Sequence, residues 1–245
     1  MAVTVVGSVS EIVSPAATSV SFVDGNHTTT ADTDLLIACI AIEGNEALES
    51  NEVSFDISGT PQVLTLISDT GSTGNNSNTR TLVYGLVSPG EIAAANCRTD
   101  VQFSANPIAS IWINFSGTLT SSVAAATNEV SKDTAGSGAT SVLASGGSSG
   151  NALLAWGAAQ SSASAPSSVD NSFVERADGV TAATGSDLAY HLSTLLTGLP
   201  SAATITWNQT SQNSANLIEI VDSGGAAGGV VQPAMYHYRN HGRLF

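Results

Sequence analysis

The chain has 245 residues and a hydrophobic content of 42%, room for one large β domain or two small ones and too apolar for global disorder. Only 11% of residues are charged, with 20 Asp and Glu against six Lys and Arg and a net charge of −14, so the clustered cations of a phosphate-binding nucleic-acid surface are excluded. A surface this poor in charge must be covered by Ser, Thr, Asn and Gln, which suits strand faces and turns better than helices, and the expected class is all-β.

Along the chain, Met1-Ala2-Val3-Thr4-Val5-Val6-Gly7 lacks the basic region and long apolar core of a secretory signal, so export by that route is not expected. Ser19 to Val23 reads as a strand. Asp24-Gly25-Asn26, with Asp32 and Asp34, offers oxygen atoms of the kind Ca²⁺ takes, but at no EF-hand spacing, and turn chemistry is the better reading. Leu35 to Ile42 is the longest apolar run, too short to cross a membrane and suited to a buried strand. It holds Cys39, which with Cys97 is expected to be a free, buried thiol. Glu43, Glu46, Glu49 and Glu52 follow as an acidic cluster, read as a solvated loop or a steering surface. Strands are expected over Val63 to Ile67, Thr81 to Val87, Val101 to Phe103 and Ser110 to Phe115, with Gly71-Ser72-Thr73-Gly74-Asn75-Asn76 as a turn. Pro89 to Ala95 is expected to form a short helical turn.

Beyond Thr118 to Gly150, read as a crossing segment, the order of runs repeats. Asn151-Ala152-Leu153-Leu154-Ala155 follows the pattern of Asp34-Leu35-Leu36-Ile37-Ala38, and Leu188 to Leu192 that of Leu82 to Leu86. Tyr190 then answers Tyr84 at a spacing of 106, and Ile205 answers Val101 at 104. Leu217 to Val221 closes the second round. Such near-constant spacing implies an internal duplication, with half-repeats at about 17–117 and 140–222, and the two halves together are expected to form one two-sheet antiparallel sandwich of jelly-roll type. One segment carries two signals. Ser186 to Leu199 sets Leu188, Leu192, Leu195, Leu196 and Leu199 at helical spacing, whereas the repeat demands a strand from Leu188 onward; the repeat is preferred.

No constellation in this body calls for an enzyme. Gly146-Gly147-Ser148-Ser149-Gly150 spells a serine elbow, but in a Gly/Ser loop that leads into a strand rather than a helix. His27 and His191 have no partner at a relay or ligand spacing, and Trp112, Trp156 and Trp207 sit where core burial outweighs sugar stacking. Neither a catalytic set, a cofactor nor a metal site is expected.

The end of the sequence differs in kind. Residues 1–222 hold all 20 acids and four of the six cations; residues 223–229 form a Gly/Ala hinge; residues 230–245 hold no acid. That last segment carries Tyr236, His237, Tyr238, Arg239, His241, Arg243 and Phe245. Extended, it would put Tyr236 and Tyr238 on one face and His237 and Arg239 on the other, which suits addition to a neighbour's sheet edge or acidic surface. These seven residues are the expected partner-docking set.

Thr33-Asp34-Leu35-Leu36-Ile37, Leu82-Val83-Tyr84 with Ser88-Pro89-Gly90, and Ala109-Ser110-Ile111-Trp112-Ile113-Asn114-Phe115-Ser116-Gly117 resemble the strand motifs of a two-repeat β-sandwich of bacterial and phage proteins. The resemblance spans about residues 17 to 222 and implies a jelly-roll-like scaffold found in secreted adhesive proteins and in virions. The expectation is a non-enzymatic phage virion protein assembled in the host cytoplasm, a capsid decoration (cement) protein or a related head or tail subunit. Other virion proteins and copies of itself are the expected partners, with no nucleic acid and no membrane. The alternative is a carbohydrate- or receptor-binding module of a tail or fibre.

Overall fold

The structure, a computed structural model, describes residues 2–14, 20–43, 53–70, 79–105, 107–133, 138–144, 146–148, 150–160, 168–169, 173–181, 188–196 and 202–224. It is all-β and antiparallel, as expected, and built twice. The first half contains β1 (Thr4–Val13), β2 (Val20–His27), β3 (Leu35–Glu43), β4 (Val53–Phe55), β5 (Gln62–Val63), β6 (Thr65–Asp69), β7 (Thr79–Val87), β8 (Ala95–Ala105) and β9 (Ile108–Ser116). A single helical turn, α1 (Val123–Ala126), leads into the second half. That half contains β10 (Thr127–Asp133), β11 (Gly138–Ala144), β12 (Ala152–Gln160), β13 (Ser168–Val169), β14 (Val174–Val180), β15 (Leu188–Leu195), β16 (Ala202–Ser211) and β17 (Asn213–Ile220).

Each half closes a sandwich of its own, so there are four sheets where the sequence reading combined the halves into two. The five-stranded sheets run β1-β9-β3-β7-β6 and β10-β17-β12-β15-β14, the same order position by position; the smaller sheets run β2-β8-β4-β5 and β11-β16-β13. The segment read as a crossing, 118–150, therefore supplies the helical turn and two strands of the second half. One core fills the first sandwich, with Leu36, Ile40, Phe55, Leu82 and Trp112; another fills the second, with Leu153, Ile205, Trp207 and Leu217. A third lies between the two five-stranded sheets, where Leu35, Ile37, Cys39, Ile111, Ile113 and Phe115 meet Leu154, Trp156, Tyr190, Leu192 and Ile218. The layers thus stack small, large, large, small. The central sheets are buried on both faces, which explains why β3 and β12 are apolar throughout instead of alternating.

The ladders fix which residues correspond. Leu35 pairs with Phe115, and Ala152 with Ile220. One residue earlier, the Asp34 carboxylate accepts from the backbone N–H of Gly117 at 2.6 Å, and the Asn151 side chain accepts from that of Asp222 at 3.0 Å. Both edge strands bulge at the matching place, between Val6 and Ser10 in β1 and between Glu129 and Ser131 in β10. In β1 the bulge uses Gly7 at φ +69°, a conformation that a side chain would strain. Carried along the ladders, Ile40–Leu82 corresponds to Gly157–His191, and Ala38–Tyr84 to Ala155–Ser193.

That register corrects the pairing of Tyr84 with Tyr190. Tyr84 faces the core of its own half, whereas Tyr190 points into the central core; an offset that misses the true spacing by an odd number of residues moves a side chain to the other face. The expected strand from Leu188 is present, buried along its whole length, and its leucines divide between two cores rather than lining one helix face. No helical turn forms over Pro89 to Ala95, because Ser88, Gly90 and Ala94 all have positive φ and break any run of helical residues. The expected strand Val63 to Ile67 divides at buried Leu64, its first part joining the small sheet and its second the large one.

Polar side chains also cross the central layer. The Trp156 indole N–H donates to the Ile40 carbonyl at 3.1 Å. The Tyr190 hydroxyl donates to Glu11 at 2.6 Å. Asn216 donates to the Ser68 hydroxyl at 2.7 Å, and Ser68 in turn donates to Glu129 at 2.5 Å. Each of these bonds satisfies a group that burial would otherwise penalise.

Candidate functional site

The described polar side chains mostly hold the framework together. His27, at 1% exposure, lies between the Ser10 hydroxyl at 2.9 Å and the Asn114 side-chain oxygen at 3.0 Å. Asn114 donates onward to the Thr28 carbonyl at 2.9 Å. This ties β1, β2 and β9 at one end of the first half, and burial lowers the His27 pKa despite the bond its ring makes to the side-chain oxygen of Asn114. The corresponding position in the second half is Glu219. It accepts from the backbone N–H of Ser148, from Asn151 at 2.9 Å and from Asn128 at 3.4 Å. Burial would raise its pKa, but these bonds together pull it below the usual carboxylate value. The pinned loop is the one spelling Gly-x-Ser-x-Gly. Ser148 serves there through its backbone, and β12 follows instead of a helix; Ser149 lies outside the described residues.

Asp24 is taken up by Arg98, which donates two parallel bonds to its carboxylate at 2.7 and 2.8 Å on the outer face of the first small sheet. The same guanidinium stacks on Phe22, 4.4 Å from the ring centroid, and Phe22 is 44% exposed. Of the acids in the Ca²⁺ reading, Asp24 is ion-paired on the small sheet, Asp34 accepts from the Gly117 and Thr118 backbone, and Asp32 is exposed beside Asp34. Among the described residues no group of three or more His, Cys, Asp or Glu could hold a metal ion, and no helix is long and apolar enough to cross a membrane. Trp112, Trp156 and Trp207 are all buried, as expected, and so are the free thiols Cys39 and Cys97.

His191 is different. It is 1% exposed on the face of β15 turned toward the second small sheet, and neither ring nitrogen has a hydrogen-bond partner among the described residues. Burial lowers its pKa to about 4, with Asp178 across the ladder opposing the shift. The matching position in the first half is Leu82, so the imidazole stands in a place built for an aliphatic side chain. Ser193, on the same face, is also buried and unpartnered. Serine, histidine and aspartate thus sit together on adjacent strands, with His191 and Ser193 buried in the core.

One open groove lies at the end of the first half. The start of β1 (Ala2, Thr4, Val6), the Ala31–Asp34 turn and the Ser116–Gly117 corner line it. Thr4 and Ser116 share a hydroxyl bond of 2.7 Å there, and among the described residues two carboxylates but no Lys or Arg border it. The chain passes this corner again on its way out, since the Ser223 N–H donates to the Gly117 carbonyl at 2.8 Å.

The docking set Tyr236, His237, Tyr238, Arg239, His241, Arg243 and Phe245 lies outside the described residues, as do Glu46, Glu49 and Glu52 of the acidic cluster. No family model, no curated protein and no solved structure matches this chain. The framework bonds escaped the sequence reading because their partners are far apart in the chain, 87 residues for His27 and Asn114. A usable signal for Asn114 and Glu219 was present: each is a polar residue between two large apolar ones, Ile113 and Phe115 or Ile218 and Ile220, at matching places in the repeat.

Proposed function

We propose that the chain is a non-enzymatic structural subunit of a phage virion, a capsid decoration protein or a related head or tail subunit, which docks on its neighbours through residues 230–245. The observation that carries this reading is the use the body makes of its cations. Arg80 pairs with Asp69, Arg98 with Asp24 and Lys132 with Glu129, while Arg176 donates to Thr194 at 2.7 Å. All four cations of an acidic body are thereby engaged within it. Arg239 and Arg243 are the remaining two of six, carried with three aromatic residues past a Gly/Ala hinge. Arg and aromatic side chains are the usual anchors of protein interfaces. A four-layered β body suits a particle surface, and the resemblance of its strand motifs to those of virion sandwiches suggests the setting. The test is deletion of residues 230–245. The truncated chain should keep the wild-type circular dichroism spectrum and lose incorporation into particles; unchanged incorporation would refute the docking role.

One observation favours the second reading, a carbohydrate- or receptor-binding module. Phe22 stands exposed, braced from beneath by Arg98 and Asp24, and could stack a sugar ring on its free face. Glycan binding abolished by Phe22→Ala, in a chain that still folds, would select this reading over the first.

A further inference from the structure

The groove beside Gly117 and the point where the chain leaves the body are neighbours. Gly117 lines the groove, Ser223 is bonded to Gly117, and Gly224 follows at once. Two carboxylates rim the groove, the four Lys and Arg side chains of the body are engaged elsewhere, and the remaining two arginines of the sequence lie beyond the hinge. We propose that the groove receives the segment around Arg239 and Arg243 of a second copy of this chain, and that two copies exchange these segments reciprocally about a twofold axis. The proposal rests on the docking reading above and names the surface that accepts the segment.

Three physical points support the exchange. Exit and groove lie at the same end of the molecule, so two copies set end to end bring both exits against both grooves, the self-complementary arrangement of a twofold interface. At about 3.3 Å per residue the chain from Gly224 to Arg239 reaches at most about 50 Å, ample to cross such a junction. Two acidic bodies repel one another at that junction, and a cationic segment laid between them relieves the repulsion as well as filling the groove. Asp32 is the residue to test. It is exposed and none of the ion pairs among the described residues uses it, whereas Asp34 is occupied with the Gly117 and Thr118 backbone.

The experiment measures the mass of the purified full chain by light scattering and its dimer affinity by sedimentation, at low and high salt. The expected wild-type result is a dimer that weakens as salt rises. Asp32→Arg alone, and Arg239→Glu with Arg243→Glu, should each weaken it at least tenfold, and the three changes combined should restore it, because the reversed charges face each other again. Tryptophan fluorescence and circular dichroism check that every variant is folded. A wild-type chain that stays monomeric overturns the inference, as does a dimer indifferent to Asp32→Arg or a combined variant that is not rescued. A monomeric chain that still needs residues 230–245 to enter particles would sink the exchange and leave the docking function standing.

Discussion

Replacing His191 by leucine should remove the contribution of this imidazole to the acid sensitivity of the fold. In the folded chain burial carries the imidazolium pKa from 6.5 to about 4. A histidine with a depressed folded pKa leaves stability unaffected above about pH 6.5. As pH falls below that value the unfolded chain binds a proton that the folded chain refuses, and stability declines until the folded pKa is passed. The gap, at about 1.4 kcal/mol per pH unit, amounts to about 3 kcal/mol lost between neutral pH and pH 4, a large share of the 5–15 kcal/mol that holds typical domains folded. Leucine is what the first half places at this position, so His191→Leu should fit and should also remove two unpartnered buried nitrogens. Urea unfolding followed by tryptophan fluorescence, from pH 7.5 to 4, should show the variant at least as stable as wild type at pH 7 and ahead of it by about 3 kcal/mol at pH 4. Parallel pH profiles for the two proteins, or a His191 ring signal titrating near 6.5 by NMR, would refute the reasoning.

Two further substitutions probe the joints of the fold. Trp156→Ala should cost about 3–5 kcal/mol in urea unfolding, because it empties the central core and removes the bond to Ile40; Trp156→Phe should cost about 1–3 kcal/mol, by losing that bond and leaving a smaller void. Glu219→Gln should cost about 1–2 kcal/mol at pH 7 and speed hydrogen exchange in residues 146–151, since it loses the charge that gathers Ser148, Asn151 and Asn128. Because the folded pKa of Glu219 is depressed, its stabilisation is present above about 4.5 and disappears as pH falls through the folded value, so the gap between variant and wild type should narrow in acid.

Strand identity was legible wherever burial dictates composition. Leu35 to Ile42 and Ala152 to Trp156 announce themselves because every position in them meets a core. The same fact held the clue to four layers: a strand apolar on both faces has a neighbour on each side, and two such strands imply two sheets sandwiched between others. What the chain letters could not show was register. Tyr84 and Tyr190 share a letter and a local setting, but bulges and unequal loops shift the ladders between the halves, and only the pairing with Ala38 and Ala158 shows that they face different cores. The short strands β4 and β13 were missed because two or three residues carry no periodicity. Of the candidate site, the engagement of Asp24 by Arg98 was invisible because the two lie 74 residues apart. The groove was likewise invisible, for it is assembled from three separate stretches of chain.

The two halves share their largest apolar faces, yet only the segment 117–126 links the last strand of one to the first strand of the other. Had each half been a separate polypeptide, the central core would form by association and would come apart on dilution. A short tether instead holds the faces at an effective concentration of the order of millimolar, whatever the protein's own concentration. The body therefore stays whole at any dilution, and only contacts made between chains are subject to mass action.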